Sequence, residues 1–215
     1  WRNLYDADVG FLRGKDEDAE FRVVDGEFDP TGFGDDYVEA DAWQSLFPVN
    51  DVEGIELVYG GNAGARAKLQ ELLDLSVDDI ASRDTGADTF GLSPLPFHWQ
   101  GNEPSLHVCA LPYDLGDRVL GRAYVDWVID TQYGTSFEGL PGNDDGGATS
   151  AWLVEAMLGL HPIAGTDQWV IGTPRFSHVD VNGVVGDNAA VGEDVDCDAV
   201  RVAHVDVAGG VRFSR

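Results

Sequence analysis

The chain has 215 residues, of which 43% are hydrophobic, so it can fill a core and is not a disordered chain. Its 39 acidic and 13 basic residues give a formal net charge of −26, which argues against nucleic-acid binding because a polyanion would be repelled. No apolar run approaches the length of a membrane span. The sequence therefore predicts a folded, acidic protein without a membrane span.

The acidic residues are scattered through segments that have the patterns of folded structure, and the chain has only two lysines, Lys15 and Lys68. Such a surface is typical of proteins from salt-loving microbes, in which high ionic strength screens the self-repulsion. The two cysteines, Cys109 and Cys197, are too few for a disulfide framework or a cysteine zinc site. We expect each to be a small core residue, with one disulfide between them as the alternative.

The start of the chain is Trp1, and no basic segment with a following apolar run precedes the first structural patterns. We therefore expect the chain to be part of a longer protein, whose signal peptide would lie outside it. An extracellular or cell-surface location is the corresponding expectation.

The first half of the chain is predicted to be a long loop followed by helices. Residues 1–38 are rich in Gly, Asp and aromatic residues, which could line a sugar site, although anchoring of the loop onto the core is the commoner use. Helical patterns follow at residues 37–47, where Pro48 interrupts them, and at residues 51–59 and 65–75. The glycines between the last two lack the Lys-Ser/Thr of a phosphate-binding loop, so we expect only a connection there.

The middle of the chain is also helical. Residues 76–103 are predicted to be a loop, and Pro104 to open a helix that runs to Leu111. A longer amphipathic helix is predicted for residues 117–133. One side of that helix is expected to carry Val119, Leu120, Tyr124, Trp127, Val128 and Thr131.

Beyond Pro162 the pattern changes to period two with β-branched residues. Strands are predicted at residues 168–172, 176–181, 200–207 and 211–213. The run Asp194-x-Asp196-x-Asp198 begins like a calcium-binding EF-hand, but Ala199 occupies the required Gly position, so a solvated loop is predicted. The fold class is therefore mainly α with a β-rich C-terminal end.

The most informative stretch is the turn Gly139-Leu-Pro-Gly-Asn-Asp-Asp-Gly-Gly-Ala-Thr-Ser-Ala-Trp152, which runs into a helix ending near Leu160. Its Pro and Gly residues prevent regular structure and present Asn143, Asp144 and Asp145 together at the start of that helix. A helix N-terminus favours negative charge, which suits a base or a metal ligand. The alternative is an Asp-rich helix cap in a solvated turn.

Two further polar clusters stand at predicted helix starts: Glu39 with Asp41, Trp43 and Gln44, and Asn102 with Glu103 and His107. Helices arranged as a toroid would bring such starts to one rim. Carboxylates, amides and aromatic rings on a concave rim suit sugar hydrolysis, which needs an acid, a base and a ring for the apolar face of the sugar.

Other hydrolytic chemistries have weaker support. Glu103 and His107 share a helix face, but the remaining histidines form no His-Glu-x-x-His motif, so zinc hydrolysis is poorly supported. The chain also has no Gly-x-Ser-x-Gly motif, which argues against a serine hydrolase.

Four motifs together resemble the α-mannosidases of glycoside hydrolase family 92, and the resemblance covers nearly the whole chain. They are Glu39-x-x-Ala-Trp-Gln44, Gly101-Asn-Glu-Pro-Ser, the stretch from Gly139 to Trp152, and Trp169-Val-Ile-Gly-x-Pro174. The resemblance implies the C-terminal part of an (α/α)6 toroid in residues 1–162, with a β-rich segment in residues 163–215. It also implies a calcium-dependent, inverting exo-α-mannosidase that acts on mannose-containing glycans, commonly on α-1,2 links.

The resemblance assigns roles to individual residues. Glu39 matches the general acid and Asp145 the general base, with Asp144 beside it as a further catalytic candidate. Asn102 and Glu103 match positions that hold Ca²⁺. The sugar-binding candidates are Trp43, Gln44, Trp99, His107 and Asn143.

Several positions depart from the family pattern, among them Asp41, where the family usually has Asn, and Leu106, which replaces a histidine. The family's N-terminal β-domain, which supplies part of the active site, is absent from this chain. An alternative is therefore an inactive carbohydrate-binding remnant, or one chain of a split enzyme.

Overall fold

A computed structural model describes residues 1–22, 27–32, 37, 40–48, 50–83, 96–176, 178–181, 184–187, 202–206 and 210–214. Within these residues, helices occupy the centre of the chain and strands occupy its two ends. The first strands, β1 (Tyr5–Asp6) and β2 (Phe11–Leu12), form a short antiparallel pair. The predicted fold class, mainly α with a β-rich C-terminal end, agrees with this order of elements.

The first two helices are α1 (Val52–Val58) and α2 (Asn62–Ser82). The prediction for residues 51–59 is confirmed, with Asp51 capping α1 by accepting the Gly54 N–H at 3.0 Å. Helix α2 is longer than predicted at both ends. It includes Gly64. Glycine is needed at this position, because the α1–α2 connection passes so close that a Cβ would strike the Tyr59 carbonyl oxygen. The buried face of α2 also continues to Ser76, so the prediction of a loop from residue 76 is wrong at residues 76–82.

The helix predicted for residues 37–47 is not observed in residues 40–47, which form turns and bends. The Ser45 N–H donates to the Asp41 carbonyl at 3.1 Å in the manner of an α-helix, and the Leu46 N–H donates to the Trp43 carbonyl at 3.3 Å in the manner of a 3₁₀ turn. The Asp41 side chain accepts the Gln44 N–H at 2.8 Å and so offers the backbone an alternative to further helical bonds. The segment also packs between other loops, and these tertiary contacts favour turns over a helix.

The helix predicted to run from Pro104 to Leu111 is broken into two 3₁₀ turns, Glu103–Ser105 and Val108–Ala110, and the short helix α3 (Leu111–Asp114). Pro112 explains why the second turn does not continue into α3 as one α-helix, because it has no N–H to donate to the Val108 carbonyl.

The long amphipathic helix is observed as α4 (Arg118–Gln132), which confirms the prediction for residues 117–133. Asp117 caps it by accepting the Leu120 N–H at 2.9 Å. On the predicted side, Leu120, Tyr124 and Val128 are buried and Trp127 and Thr131 are half-buried. Val119 is 71% exposed, so its assignment to the core face is wrong. Gln132, a polar residue, is fully buried at the last position of the helix.

The C-terminal part begins with α5 (Ala148–Leu158), which ends at Gly159 in the left-handed conformation that glycine favours. A four-stranded antiparallel sheet has the order β3-β4-β7-β8, and β5 and β6 form a separate hairpin. Each predicted strand is observed in the described part of its range. The strands are β3 (Leu160–Pro162), β4 (Gln168–Ile171), β5 (His178–Val181), β6 (Val184–Asp187), β7 (Val202–Asp206) and β8 (Gly210–Ser214).

The core joins the loop segments to the helices. It contains Leu46 and Phe47 from the turns, Leu69 from α2, and Tyr124 and Val128 from α4, all fully buried. Cys109 is a buried free cysteine, as expected for a small core residue. Cys197 and the Asp194–Asp198 run lie outside the described residues. No helix in the described part of the chain is long and apolar enough to cross a membrane.

Candidate active site

Two loops that are distant in sequence meet around the ring of Trp99. The first loop is the segment 99–103, and the second is the segment 139–147. A Cβ at Gly101 would lie 2.5 Å from the Trp99 ring and would also strike the Pro141 carbonyl oxygen, and a Cβ at Gly142 would lie 2.9 Å from the same ring. Glycine is therefore needed at both positions, because the two backbones pack directly on the indole.

The contact between the two loops forms a pocket of about 120 Å³. The first loop contributes Trp99 as the aromatic wall together with an amide and a carboxylate, and the second contributes another amide and another carboxylate. Five of the predicted site residues are thus brought together. The lining consists of Trp99, Gly101, Asn102, Glu103, Gly142, Asn143 and Asp145.

The second loop separates the roles of its two adjacent aspartates. The Asp144 carboxylate accepts the Ser150 N–H at 3.0 Å, and its carbonyl accepts the Gly147 N–H at 3.0 Å, so Asp144 caps the start of α5. Asp145 has a φ of 49°, a left-handed conformation that is uncommon for a residue other than glycine. This conformation turns the exposed Asp145 to the pocket, where it is a lining residue and Asp144 is not.

The second loop is also fixed from the side of α5. The Thr149 hydroxyl donates to the Asn143 carbonyl at 3.0 Å, and the Tyr133 hydroxyl donates to the Thr149 carbonyl at 3.0 Å. The Tyr133 ring stacks on Trp152 with centroids 5.6 Å apart and planes inclined by 11°. The loop thus has a defined shape although Asn143 and Asp145 themselves are exposed.

Beneath the first loop lies a network of buried polar side chains, which we call the buried network: His98, Gln100, Tyr124 and Gln132. The ring of His98 bonds the Gln100 side chain at 2.8 Å through Nε2 and the Tyr124 hydroxyl at 3.0 Å through Nδ1. Because the Gln100 Oε1 can only accept, Nε2 carries the proton and Nδ1 accepts. Burial lowers the pKa of His98 to about 4, which keeps the ring neutral.

Sequence patterns did not identify the buried network as part of the site. The only signal was a glutamine at the end of the apolar face of α4, which is equally compatible with a surface residue at a fraying helix end. Burial of all four side chains depends on how the first loop packs on α4, which is a tertiary feature.

The remaining predicted residues lie outside the pocket lining. Trp43 is buried, with its ring edge-on to Phe11 at 4.9 Å and beneath the Lys68 ammonium at 4.3 Å. Gln44 is also buried. His107 is largely buried, and burial lowers the pKa of its ring, while a hydrogen bond to the Phe47 backbone opposes that shift. Glu39 lies outside the described residues.

Asp41 is a second feature of the site region that local patterns did not distinguish. Its carboxylate is buried and hydrogen-bonded to backbone N–H groups of Trp43, Gln44 and Phe97, so it joins the turn after Glu39 to the segment before Trp99. Burial raises the pKa of Asp41 to about 6, and the three backbone hydrogen bonds oppose this shift. The departure from the family's usual Asn was the available signal for its importance.

The pocket supplies oxygen donors of the kind that Ca²⁺ prefers: the carboxylates of Glu103 and Asp145 and the amide oxygens of Asn102 and Asn143. Among the described residues, no group of three or more His, Cys, Asp or Glu side chains is placed to hold a metal ion. The chemistry of these oxygen donors fits Ca²⁺.

Comparison with known proteins identifies the family. The family model described as the glycosyl hydrolase family 92 catalytic domain matches residues 1–210. Because the match extends over nearly the whole chain, this chain belongs to glycosyl hydrolase family 92. The resemblance carried by the four sequence motifs is thereby confirmed.

Individual relatives agree with this assignment. An uncharacterized secreted glycosidase of Arthroderma benhamiae is 26% identical over 220 residues, which cover 93% of this chain and 26% of the relative. The family GH92 alpha-mannosidase BT3965 of Bacteroides thetaiotaomicron superposes with a TM-score of 0.66 at 24% identity, covering 87% of this chain and 24% of that one. The inverting mannosidase BT2199 of the same organism gives a TM-score of 0.61 at 26% identity, covering 82% and 24%. The chain thus spans about a quarter of the length of these relatives.

Proposed function

We propose that this chain is the C-terminal part of the catalytic domain of a calcium-dependent, inverting exo-α-mannosidase that removes mannose, commonly α-1,2-linked, from glycans. The observation that carries the proposal is the pocket in which Asp145, Asn143, Asn102 and Glu103 converge beside Trp99. The similar chains include a protein described as an alpha-mannosidase and another described as an inverting mannosidase. A polar pocket with an aromatic wall is consistent with that chemistry.

In the proposed mechanism, Asp145 is the general base that removes a proton from the attacking water. It is suited to this role because it lines the pocket, whereas the neighbouring Asp144 carboxylate is occupied as the cap of α5. Glu39 is the general acid that protonates the leaving oxygen, a role that rests on the family motif. Inversion requires the two carboxyl groups to be about 6.5–9.5 Å apart, so that the water fits between Asp145 and the sugar.

The other predicted residues have supporting roles in this proposal. Asn143 bonds sugar hydroxyls from the wall formed by the second loop, and Trp99 provides an apolar wall. Trp43 and Gln44 are buried beneath the segment that follows Glu39, so we assign them to holding that segment. His107 has a comparable position through its hydrogen bond to the Phe47 backbone.

Glu103 and Asn102 are the proposed calcium ligands, since both line the pocket and both offer hard oxygen donors. When bound, the ion would supply positive charge that grips and orients mannose hydroxyls. Exhaustive chelation of the full-length protein should abolish mannose release, and added Ca²⁺ should restore it.

At the level of architecture, we propose that residues 1–162 are the C-terminal part of an (α/α)6 toroid and that residues 163–215 form the β-rich segment packed on it. The paired helices α1 and α2 support the helical-hairpin arrangement. A further β-domain, N-terminal to this chain in a longer protein, would complete the active site and is consistent with the length of the relatives.

The decisive experiment uses the full-length protein that contains this chain and an α-linked mannobiose. Proton NMR of the first minutes of reaction should show β-mannose as the first-formed sugar. First-formed α-mannose would contradict inversion, and no release of mannose in the presence of Ca²⁺ would contradict the proposed activity.

A carbohydrate-binding remnant is the second candidate, because an aromatic ring and two amides, from Trp99, Asn102 and Asn143, line one pocket and are of the kind that bind sugars. It differs from the enzyme in one measurable respect. A remnant would bind mannose without releasing it from any glycan, even after addition of the missing part of a full-length relative.

A further inference from the structure

Two residues at the end of α4, Gln132 and Tyr133, are hydrogen-bonded to the two walls of the pocket. Gln132, the final residue of α4, is fully buried. Its Oε1 accepts the Gln100 N–H at 2.7 Å, and its Nε2 donates to the His98 carbonyl at 3.2 Å. These two bonds enclose Trp99, so a single carboxamide fixes the backbone on both sides of the aromatic wall.

The next residue along the chain holds the other wall. The Tyr133 hydroxyl donates to the Thr149 carbonyl, and the Thr149 hydroxyl in turn donates to the Asn143 carbonyl, each at 3.0 Å. The end of α4 is therefore connected to the first loop through Gln132 and to the second loop through Tyr133.

We propose that Gln132 is a positioning residue of the candidate active site, which sets the place of the Trp99 wall relative to the Asp145 wall without contacting the sugar. The proposal deepens the proposed function, and its activity readouts rest on that function. The physical basis is that a carboxamide both donates and accepts, and that an unpaired group at a fully buried position is costly to leave there. No shorter or purely apolar side chain can make both bonds.

The first test replaces Gln132 by Met, which has a similar length but can make neither bond. The matched control is Val128→Ala, one turn earlier on α4, where the side chain is also fully buried. In the full-length protein we expect Gln132→Met to lower kcat/KM for an aryl α-mannoside by about 100-fold, the effect of roughly an ångström of misplacement. Val128→Ala should reduce it less than about threefold at temperatures where both variants are folded. Equal losses would show a merely structural role and overturn the proposal.

The second test needs no catalysis. Hydrogen-exchange mass spectrometry should show roughly tenfold faster exchange of the peptide that carries residues 98–102 in Gln132→Met, because the Gln100 N–H loses its acceptor. The same peptide should be unchanged in Val128→Ala. If the wild-type protein released no mannose, the proposed function would fail, and this exchange measurement would still decide whether Gln132 holds the loop. Unchanged exchange in Gln132→Met would contradict the inference.

The third test uses Gln132→Glu, whose neutral form can still donate to His98 and accept from Gln100, whereas its ionised form can only accept. The ratio of variant to wild-type kcat/KM should therefore fall as pH rises and the buried glutamate ionises. His98 stays neutral between pH 5 and 8 and does not confuse this profile, since its pKa is about 4. Wild-type kcat/KM at a pH where the infrared carboxylate band shows the introduced glutamate to be ionised would show that donation to the His98 carbonyl is irrelevant to the site.

Discussion

The pocket and the buried network beneath it both contain polar side chains, but those of the pocket include exposed charged groups and those of the network are enclosed and neutral. In the pocket, Glu103 and Asp145 are exposed carboxylates, and no cation of the described residues lines the same space. In the buried network, His98 and Gln132 are completely enclosed and neutral, and each makes two side-chain hydrogen bonds. The chain therefore keeps charge where a substrate and an ion can reach it.

This difference follows from the cost of burial. An ionised group away from water is expensive unless it is paired, whereas a neutral amide or imidazole with satisfied hydrogen bonds is affordable inside a core. The chemistry needs charged groups, and their precise placement needs a rigid support. Here the pocket meets the first requirement and the buried network meets the second, so the two can be tested separately.

The largest loss of activity is expected from a substitution in the pocket. Asp145→Asn in the full-length protein should lower kcat for mannose release by about 1,000-fold or more, because the proposed base is lost. Asp144→Asn is the matched control, since Asn can still accept the Ser150 N–H and the cost to stability should stay within about 1 kcal/mol. Steady-state kinetics on an aryl α-mannoside measures both. A greater loss in Asp144→Asn than in Asp145→Asn would reverse the assignment.

Acid should destabilise the buried network through protonation of His98. Its pKa is about 4 in the folded protein against 6.5 in the unfolded chain, so its contribution to stability is fully present above pH 6.5 and is lost as pH falls towards 4. The expected loss is roughly 3 kcal/mol for a shift of this size. Urea unfolding from pH 7 to pH 4 should show a shallower decline for His98→Asn than for the wild type.

His161 provides an independent comparison for that measurement. It is buried in β3, stacks on Tyr113, and has its pKa lowered by burial to about 4 as well. His161→Asn should therefore reduce the acid sensitivity by a similar amount, and the two substitutions should add. Parallel pH curves for the wild type and both variants would show that neither histidine is buried in its neutral form.

Asp41 should behave in the opposite way, because its pKa is about 6 in the folded protein against 3.8 unfolded. Its contribution to stability is fully present below pH 3.8 and is lost as pH rises through 6. Asp41→Asn should therefore gain stability relative to the wild type between pH 4 and pH 7, by at most roughly 3 kcal/mol. Urea unfolding at the two pH values measures the change. A constant difference between the proteins would mean that Asp41 is not buried.

Salt should have the smallest effect, and it should act on the charged surface and not on the buried network. The formal charge of −26 predicts that the melting temperature rises by a few degrees or more in molar KCl, because screening reduces repulsion between surface carboxylates. The destabilisation caused by Gln132→Met should be the same at low and high KCl, since neutral buried groups are not screened. A melting temperature that is flat or falls with KCl would reject the prediction of a salt-adapted surface.

The elements that sequence predicted best are those with strong local periodicity. Helix α4 has an apolar face at helical spacing and a capping Asp117, and its observed bounds differ from the prediction by one residue at each end. The prediction for residues 40–47 was wrong. The periodicity of this segment suggested a helix, whereas the Asp41 side chain and the surrounding loops provided other partners for its backbone. Local patterns do not contain those partners.

Recognition of the site depended on motifs more than on periodicity. The sequence placed Asn102, Glu103, Asn143 and Asp145 in one site, and the structure brings these four residues to one pocket. It did not predict Gln132 or His98, since a buried glutamine or histidine has no pattern of its own. Their participation became visible only from the hydrogen bonds that join His98 to Tyr124 and Gln132 of α4, which are 26 and 34 residues away in the chain.

The sequence by itself determined the family, the acidic surface and the positions of the chemically important loops, because these depend on residue types and short-range spacing. Only the tertiary structure decided which of two adjacent aspartates faces the pocket, since both have the same chemistry. The left-handed backbone at Asp145 and the contact of Asp144 with the Ser150 N–H separate them. The physical reason is that a side chain's direction depends on a few backbone angles, and packing of the two loops around Trp99 and α4 fixes those angles.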